Sequence, residues 1–172
     1  MSVAPPLATI AVGVLVERSK AASLWSDFHW RPVGVLAGQP DTPPWTRIAE
    51  ADGRVTFYAG PAQIELYRAE TTNYRDNLAT GAAQLWVVLR ATGTEPPYTL
   101  YLVTADPAEG EAMTEAGDDI VEPVPMPDLV REQIAAFVAE HHVEREFIKR
   151  KRDRANPEAF GRRAPVMRGD DE

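Results

Sequence analysis

The 172-residue chain contains no cysteine, which excludes disulfides, thiolate zinc sites, iron–sulfur ligation and a cysteine nucleophile. The Gly-x-Ser-x-Gly elbow, the Walker lysine loop and the His-Glu-x-x-His zinc motif are absent as well. Histidine occurs only at His29, His141 and His142. Neighbouring helical residues point about 100° apart, so His141 and His142 cannot grip one ion as an i, i+4 pair does. His141 is expected partly buried and His142 exposed, and no carboxylate stands at motif spacing from His29. No catalytic residue, metal site or cofactor follows from these residues. Long hydrophobic runs are also missing. The apolar stretch Leu7 to Val16 has no preceding Lys or Arg and falls far short of the ~20 residues a membrane span needs, so a cytoplasmic location without membrane contact is expected.

What is present is an uneven distribution of charge. The net charge is −8, which disfavours nucleic acid as a partner because phosphate neutralisation needs a basic field. Residues 1–143 carry 9 Lys plus Arg against 19 Asp plus Glu, whereas residues 144–168 carry 9 against 4. An acidic body therefore precedes a basic segment. That segment closes the longest stretch that reads as one element, Met126 to Arg154. At about 100° per residue, Val130, Ile134, Phe137, Val138, His141, Arg145 and Ile148 share one stripe, the pattern of a helix lying on a core. Leu129, Ala136, Val143 and Phe147 form a second, narrower apolar line. The helix is expected over about 127–154, ending in Lys149, Arg150, Lys151 and Arg152.

The remainder reads as strands and turns. Ala8 to Val16 is apolar or small on both faces, as a central strand is, and Ser19 to Asp27 reads as a short helical turn or loop. Trp30 to Leu36 is a second strand in which Pro32 requires an edge or a bulge. Asp52-Gly53 is a type I′ hairpin signature that sets Ala51 opposite Arg54, Ile48 opposite Phe57 and Arg47 opposite Tyr58. Ile64 to Arg68 reads as a further strand after a Gly60-Pro61 turn, and Thr72 to Leu78 as a short helix capped by Thr72. Gln84 to Ala91 and Tyr98 to Thr104 form a hairpin. Asp106-Pro107-Ala108-Glu109 opens a helix to about Ala116 with an N-cap and a proline in the first turn. Ile120-Val121, followed by Glu122-Pro123-Val124-Pro125, can be at most an edge strand. The expectation is an α+β fold with about six mostly antiparallel strands, short helices and the long C-terminal helix packed on the sheet. A small open barrel is the alternative. Residues 1–154 form one domain in this reading, and 155–172 a mobile charged tail. Trp25, Trp30, Trp45 and Trp86 could line a pocket with Tyr58, Tyr98 and Tyr101, although aromatic residues on strands more often fill cores.

His141 to Arg152, with Trp30-Arg31-Pro32-Val33, Val103-Thr104-Ala105 and Val124-Pro125-Met126-Pro127, resembles an uncharacterised bacterial domain-of-unknown-function family. That family is typically encoded near molybdenum-dependent formate dehydrogenase subunits and their maturation factors. The resemblance implies a non-catalytic accessory protein in molybdoenzyme assembly, with an acidic protein, such as a molybdoenzyme subunit, as partner. In that reading Val143 and Phe147 supply buried contact, while Lys149, Arg150, Lys151 and Arg152 orient the partner. Leu36 to Pro40 faintly resembles the loop of guanylyltransferases that modify molybdopterin, but lacks the second glycine and the following Arg and Lys. An enzyme or carrier acting on molybdopterin or its guanine nucleotide form, using a Trp- and Tyr-lined cavity near Gly38, is therefore the second reading. A self-associating module, a homodimer through Val143 and Phe147, is the third.

Overall fold

A computed structural model describes residues 4–22, 24–25, 27–115 and 117–143. The chain divides into two units, Met1–His142 and Val143–Glu172. The first carries all the regular structure among the described residues, and of the second only Val143 is described. Seven strands form two antiparallel sheets. The larger sheet comprises β1 (Ala8–Lys20), β2 (Phe28–Ala37), β3 (Thr46–Ala51) and β4 (Arg54–Leu66), in the order β2-β1-β4-β3. The smaller comprises β5 (Gln84–Ala91), β6 (Tyr98–Thr104) and β7 (Ile120–Pro125), in the order β6-β5-β7. Three helices, α1 (Thr71–Ala79), α2 (Pro107–Met113) and α3 (Asp128–His141), complete the α+β fold.

The core is the inner face of β1 joined to β5 and α3. Val12, Val14 and Val16 are fully buried in β1, Leu85, Val87 and Leu89 in β5, and Ile134 in α3. All belong to one hydrophobic cluster. β1 lies between β2 and β4, as its two apolar faces require. Val130, Ile134, Phe137 and Val138 are the buried stripe of α3, matching its sequence periodicity.

The long helix is corrected at its far end. α3 stops at His141, and His142 is extended at φ −73°, ψ 123°. The turn-back coincides with two side-chain bonds that tie the His142 ring to α1 instead of letting it continue the helical surface. Whatever follows 143, including the expected basic helix end and tail, lies outside the described residues.

The hairpin register is corrected too. Asp52 and Gly53 both have positive φ, 53° and 76°, the I′ geometry, and Ala51 pairs with Arg54. Arg47 then pairs with Phe57 and Thr46 with Tyr58, because Ile48 is an extra residue on β3. Likewise Gly60-Pro61 is no turn. β4 runs through it with Ala59 bulged, and Gly60 takes the φ of 134°. Ser19 and Lys20 extend β1 rather than forming a helical turn, and Ile64 to Leu66 continue β4 rather than starting a new strand. α1 begins at Thr71 after a 3-10 turn over Arg68–Glu70, with no side-chain cap, and α2 ends at Met113. Pro32 is buried beside a bulge at Val33 on the edge strand β2, the position its missing N–H demands.

Candidate functional site

The hairpin of β1 and β2 sets Arg18 opposite Trp30, and Arg18 also pairs across to Val55 on β4. This register gathers half-exposed rings where the two sheets meet. The Arg18 guanidinium lies 4.3 Å from the Phe28 ring centroid, 5.2 Å from that of Phe57 and 5.6 Å from that of Trp30. Trp30 stacks on Phe57 at 5.6 Å, meets Trp45 edge-on at 5.9 Å and tilts against Tyr98 of the smaller sheet at 6.1 Å. Such ring pairs contribute about 0.5–1.5 kcal/mol each beyond area burial. Trp45 and Tyr98 then wall an open groove of about 390 Å³ whose other sides are Pro44, Pro61, Pro96 and the threonines of the β5–β6 turn. No carboxylate, histidine, lysine or arginine lines that groove.

Trp45 is held there by its backbone. It has φ of 64°, a left-handed conformation that bulky L-residues rarely adopt, and its N–H donates to the Tyr58 carbonyl. Strain of this kind persists only where surrounding contacts enforce it. The opposite wall is preorganised as well. The Thr92 hydroxyl shares its one proton between the carbonyls of Thr94 (2.9 Å) and Pro96 (2.7 Å) and accepts from the Thr94 N–H (3.2 Å), so the turn between β5 and β6 closes on itself.

Of the seven aromatic residues singled out as pocket candidates, Trp30, Trp45 and Tyr98 come together. Trp86 instead packs on α2, where a Cβ on Gly110 would lie 2.3 Å from its ring. Tyr58 is buried on the far side of β4, close to Gly13 and Pro40; its hydroxyl has no hydrogen-bond partner among the described residues, and burial pushes its pKa up. Tyr101 carries the Arg90 guanidinium at 3.5 Å, itself paired with Asp119. Trp25 is 96 % exposed with Leu24 at the β1–β2 tip. Arg18, Phe28 and Phe57 were not foreseen, because only the hairpin register places them beside Trp30. The Gly38 loop leads from β2 to β3, strand to strand, so a phosphate would find no helix N-terminus there.

A second polar cluster lies where α1 and α2 begin. Asn73 Nδ2 donates to Glu70 (3.1 Å) and Asp106 (3.1 Å), while Asp106 Oδ1 also accepts from the Ala108 N–H (2.9 Å), capping α2. Burial, then the Asp106 carboxylate, raise the pKa of both Glu70 and Glu109. Tyr67 donates to Glu65 at 2.6 Å, and that bond pushes its pKa up to about 12. Among the described residues no group of three or more Asp, Glu or His is placed to hold a metal ion.

The histidines at the end of α3 are engaged. His141 is partly buried against the Phe137 ring, with centroids 4.6 Å apart. His142, expected exposed, is half-buried: Arg75 Nη1 donates to its Nε2 at 2.9 Å, and its Nδ1 meets Thr71 Oγ1 at 3.1 Å. Arginine can only donate, so the ring proton in this geometry sits on Nδ1 and is donated to Thr71. Leu129, Ala136 and Val143 face solvent, Leu129 at 61 % and Val143 at 75 % exposure. Phe147, Lys149, Arg150, Lys151 and Arg152 lie outside the described residues.

Residues 11–151 match the model of a family described as a protein of unknown function, DUF3305. The chain belongs to that family. No curated protein and no solved structure matches. For this DUF3305 member the geometry is therefore the direct guide to function. No helix among the described residues is long and apolar enough to cross a membrane.

Proposed function

We propose that this chain is a non-catalytic cytoplasmic accessory protein that assists the assembly or maturation of a formate dehydrogenase-type molybdoenzyme. The observation that carries the binding part of this reading is the groove at Trp45 and Tyr98, built of rings, prolines and hydroxyls with no acid or base in its lining. The neighbourhood comes from the family resemblance. Val143, exposed at the end of α3, and Phe147 supply apolar contact, and Lys149, Arg150, Lys151 and Arg152 steer an acidic partner. The test is capture of a purified formate dehydrogenase-type catalytic subunit by the intact chain and by the triple variant Lys149→Glu, Arg150→Glu, Lys151→Glu. Loss of capture with an unchanged melting temperature is expected, and equal capture by both refutes this contact.

A second reading is favoured by the same groove, since Trp45 and Tyr98 would also flank a planar ring. As a carrier or enzyme for molybdopterin or its guanine nucleotide form, the chain would show a saturable rise in melting temperature with GTP or a pterin. No rise at millimolar ligand removes that reading. A homodimer through Val143, 75 % exposed, and Phe147 is the third reading, which sedimentation at several concentrations detects in the absence of any partner.

A further inference from the structure

The row of rings from Phe28 to Tyr98 is rich in unused hydrogen-bond donors. Among the described residues, the indole N–H groups of Trp30 and Trp45, the Tyr98 hydroxyl and the Arg18 guanidinium make no hydrogen bond or ion pair within the protein, yet none of these atoms is sealed from solvent. Arg18 differs here from its neighbours. Arg31 and Arg54 share the Glu17 carboxylate at 3.6 Å each, whereas Arg18 rests on three rings and faces no carboxylate. A ligand suited to this row presents acceptors along its length, has apolar bulk to lie against rings, and carries a negative charge at the Arg18 end.

A neutral sugar would leave Arg18 idle. Single-stranded nucleic acid would meet one unpaired arginine on a chain of net charge −8. A polyproline II segment fits better. It has no internal hydrogen bonds, its carbonyls point outward as acceptors, and its prolines pack on Trp and Tyr rings. We propose that the groove, together with the row of rings that leads from it through Trp30 to Arg18, binds an extended, proline-rich segment of a partner protein, with an Asp or Glu of that segment on Arg18 and prolines against Trp30, Trp45 and Tyr98. This rests on the reading of the chain as a binding module and names the chemistry of what it binds. The self-bonded β5–β6 turn and the enforced backbone of Trp45 hold the walls ready before the segment arrives.

Fluorescence anisotropy with the full chain and a panel of dye-labelled proline-rich peptides of about ten residues, long enough for about three polyproline turns, tests this. Each peptide is matched with one carrying lysine for glutamate and one with its prolines replaced by alanine and serine. Saturable binding is expected only for members with both prolines and acidic ends. Trp45→Phe and Tyr98→Ala should weaken it by about tenfold or more, as truncating a ring at the centre of an interface does. Arg18→Glu should shift the preference to the lysine peptides, and Arg18→Gln should abolish the charge preference without reversing it. Circular dichroism of each variant separates unfolding from lost contact, and the wild-type panel stands regardless of any variant. Failure of the whole panel at millimolar concentration, equal binding of the proline-free peptides, or tighter binding of oligothymidylate overturns the proposal. Failure here with capture of the molybdoenzyme subunit still dependent on Lys149, Arg150 and Lys151 removes the groove and leaves the accessory reading standing. The converse pattern removes that contact and leaves the groove.

Discussion

Two residues show how much depends on single positions. At Gly110, alanine would raise helix propensity by about 1 kcal/mol, yet its Cβ would fall 2.3 to 2.7 Å from Trp86 atoms. The clashing atoms include Cβ and Cγ, which the β5 backbone holds in place, so the half-buried ring cannot swing clear and overpacking of about 1–3 kcal/mol wins. Gly110→Ala should lower the urea midpoint without changing the slope. Asn77 is buried at 4 % exposure and fully used: Nδ2 donates to the carbonyls of Gln84 (2.8 Å) and Ala105 (3.0 Å), and Oδ1 accepts from the Gln84 N–H (3.0 Å). Asn77→Leu would leave three backbone groups without partners and should cost about 2–4 kcal/mol, read by the same titration. Glu70 and Glu109 supply the pH dependence. Their folded pKa values lie above the ordinary 4.5, so the folded state holds these protons more tightly than the unfolded chain. Their contribution is present at low pH and is lost as pH rises from about 4.5 through the raised folded values. Glu70→Gln and Glu109→Gln should therefore melt higher than the parent at pH 7, with the gap closing in acid.

At the scale of elements, legibility followed locality. The β5–β6 hairpin, the Asp106 cap and the buried stripe of α3 rest on periodicity and turn chemistry within a few residues, and they stand where the sequence put them. The register beyond Ala49 and the unbroken run of β4 through Gly60-Pro61 depended on one extra residue each, Ile48 and Ala59. A bulge has no local signature strong enough to announce itself. The far end of α3 failed for a related reason. Its sequence continues in helical period, but Thr71 and Arg75, about seventy residues earlier, take the His142 ring. The candidate groove was half legible: Trp30, Trp45 and Tyr98 were visible as aromatic residues, while Arg18 needed the pairing of β1 with β2. Within α3, Ile134 is fully buried, and Ile134→Ala should cost about 2–5 kcal/mol in the same unfolding titration.

Over the whole molecule, charge is divided along the chain. Residues 1–54 carry five Lys or Arg against five Asp or Glu, while residues 55–143 carry four against fourteen. The donor-rich row draws most of its members from the balanced part, so an acidic segment can approach it while the rest of the unit repels the same charge. Approach is thereby oriented, and the preference should weaken as salt is raised past a Debye length of about 8 Å at physiological ionic strength. The sheet borders carry a further consequence. β2, β3 and β6 each contain an unpaired extra residue, Val33, Ile48 and Tyr101, and β7 carries Pro123 and Pro125. Every outer strand of both sheets is thus interrupted, and none offers a clean ladder for a neighbouring chain to extend. Concentrated solutions should stay free of fibrillar polymer and of thioflavin-positive material, and a protein built this way can be kept abundant without a chaperone standing guard over its borders.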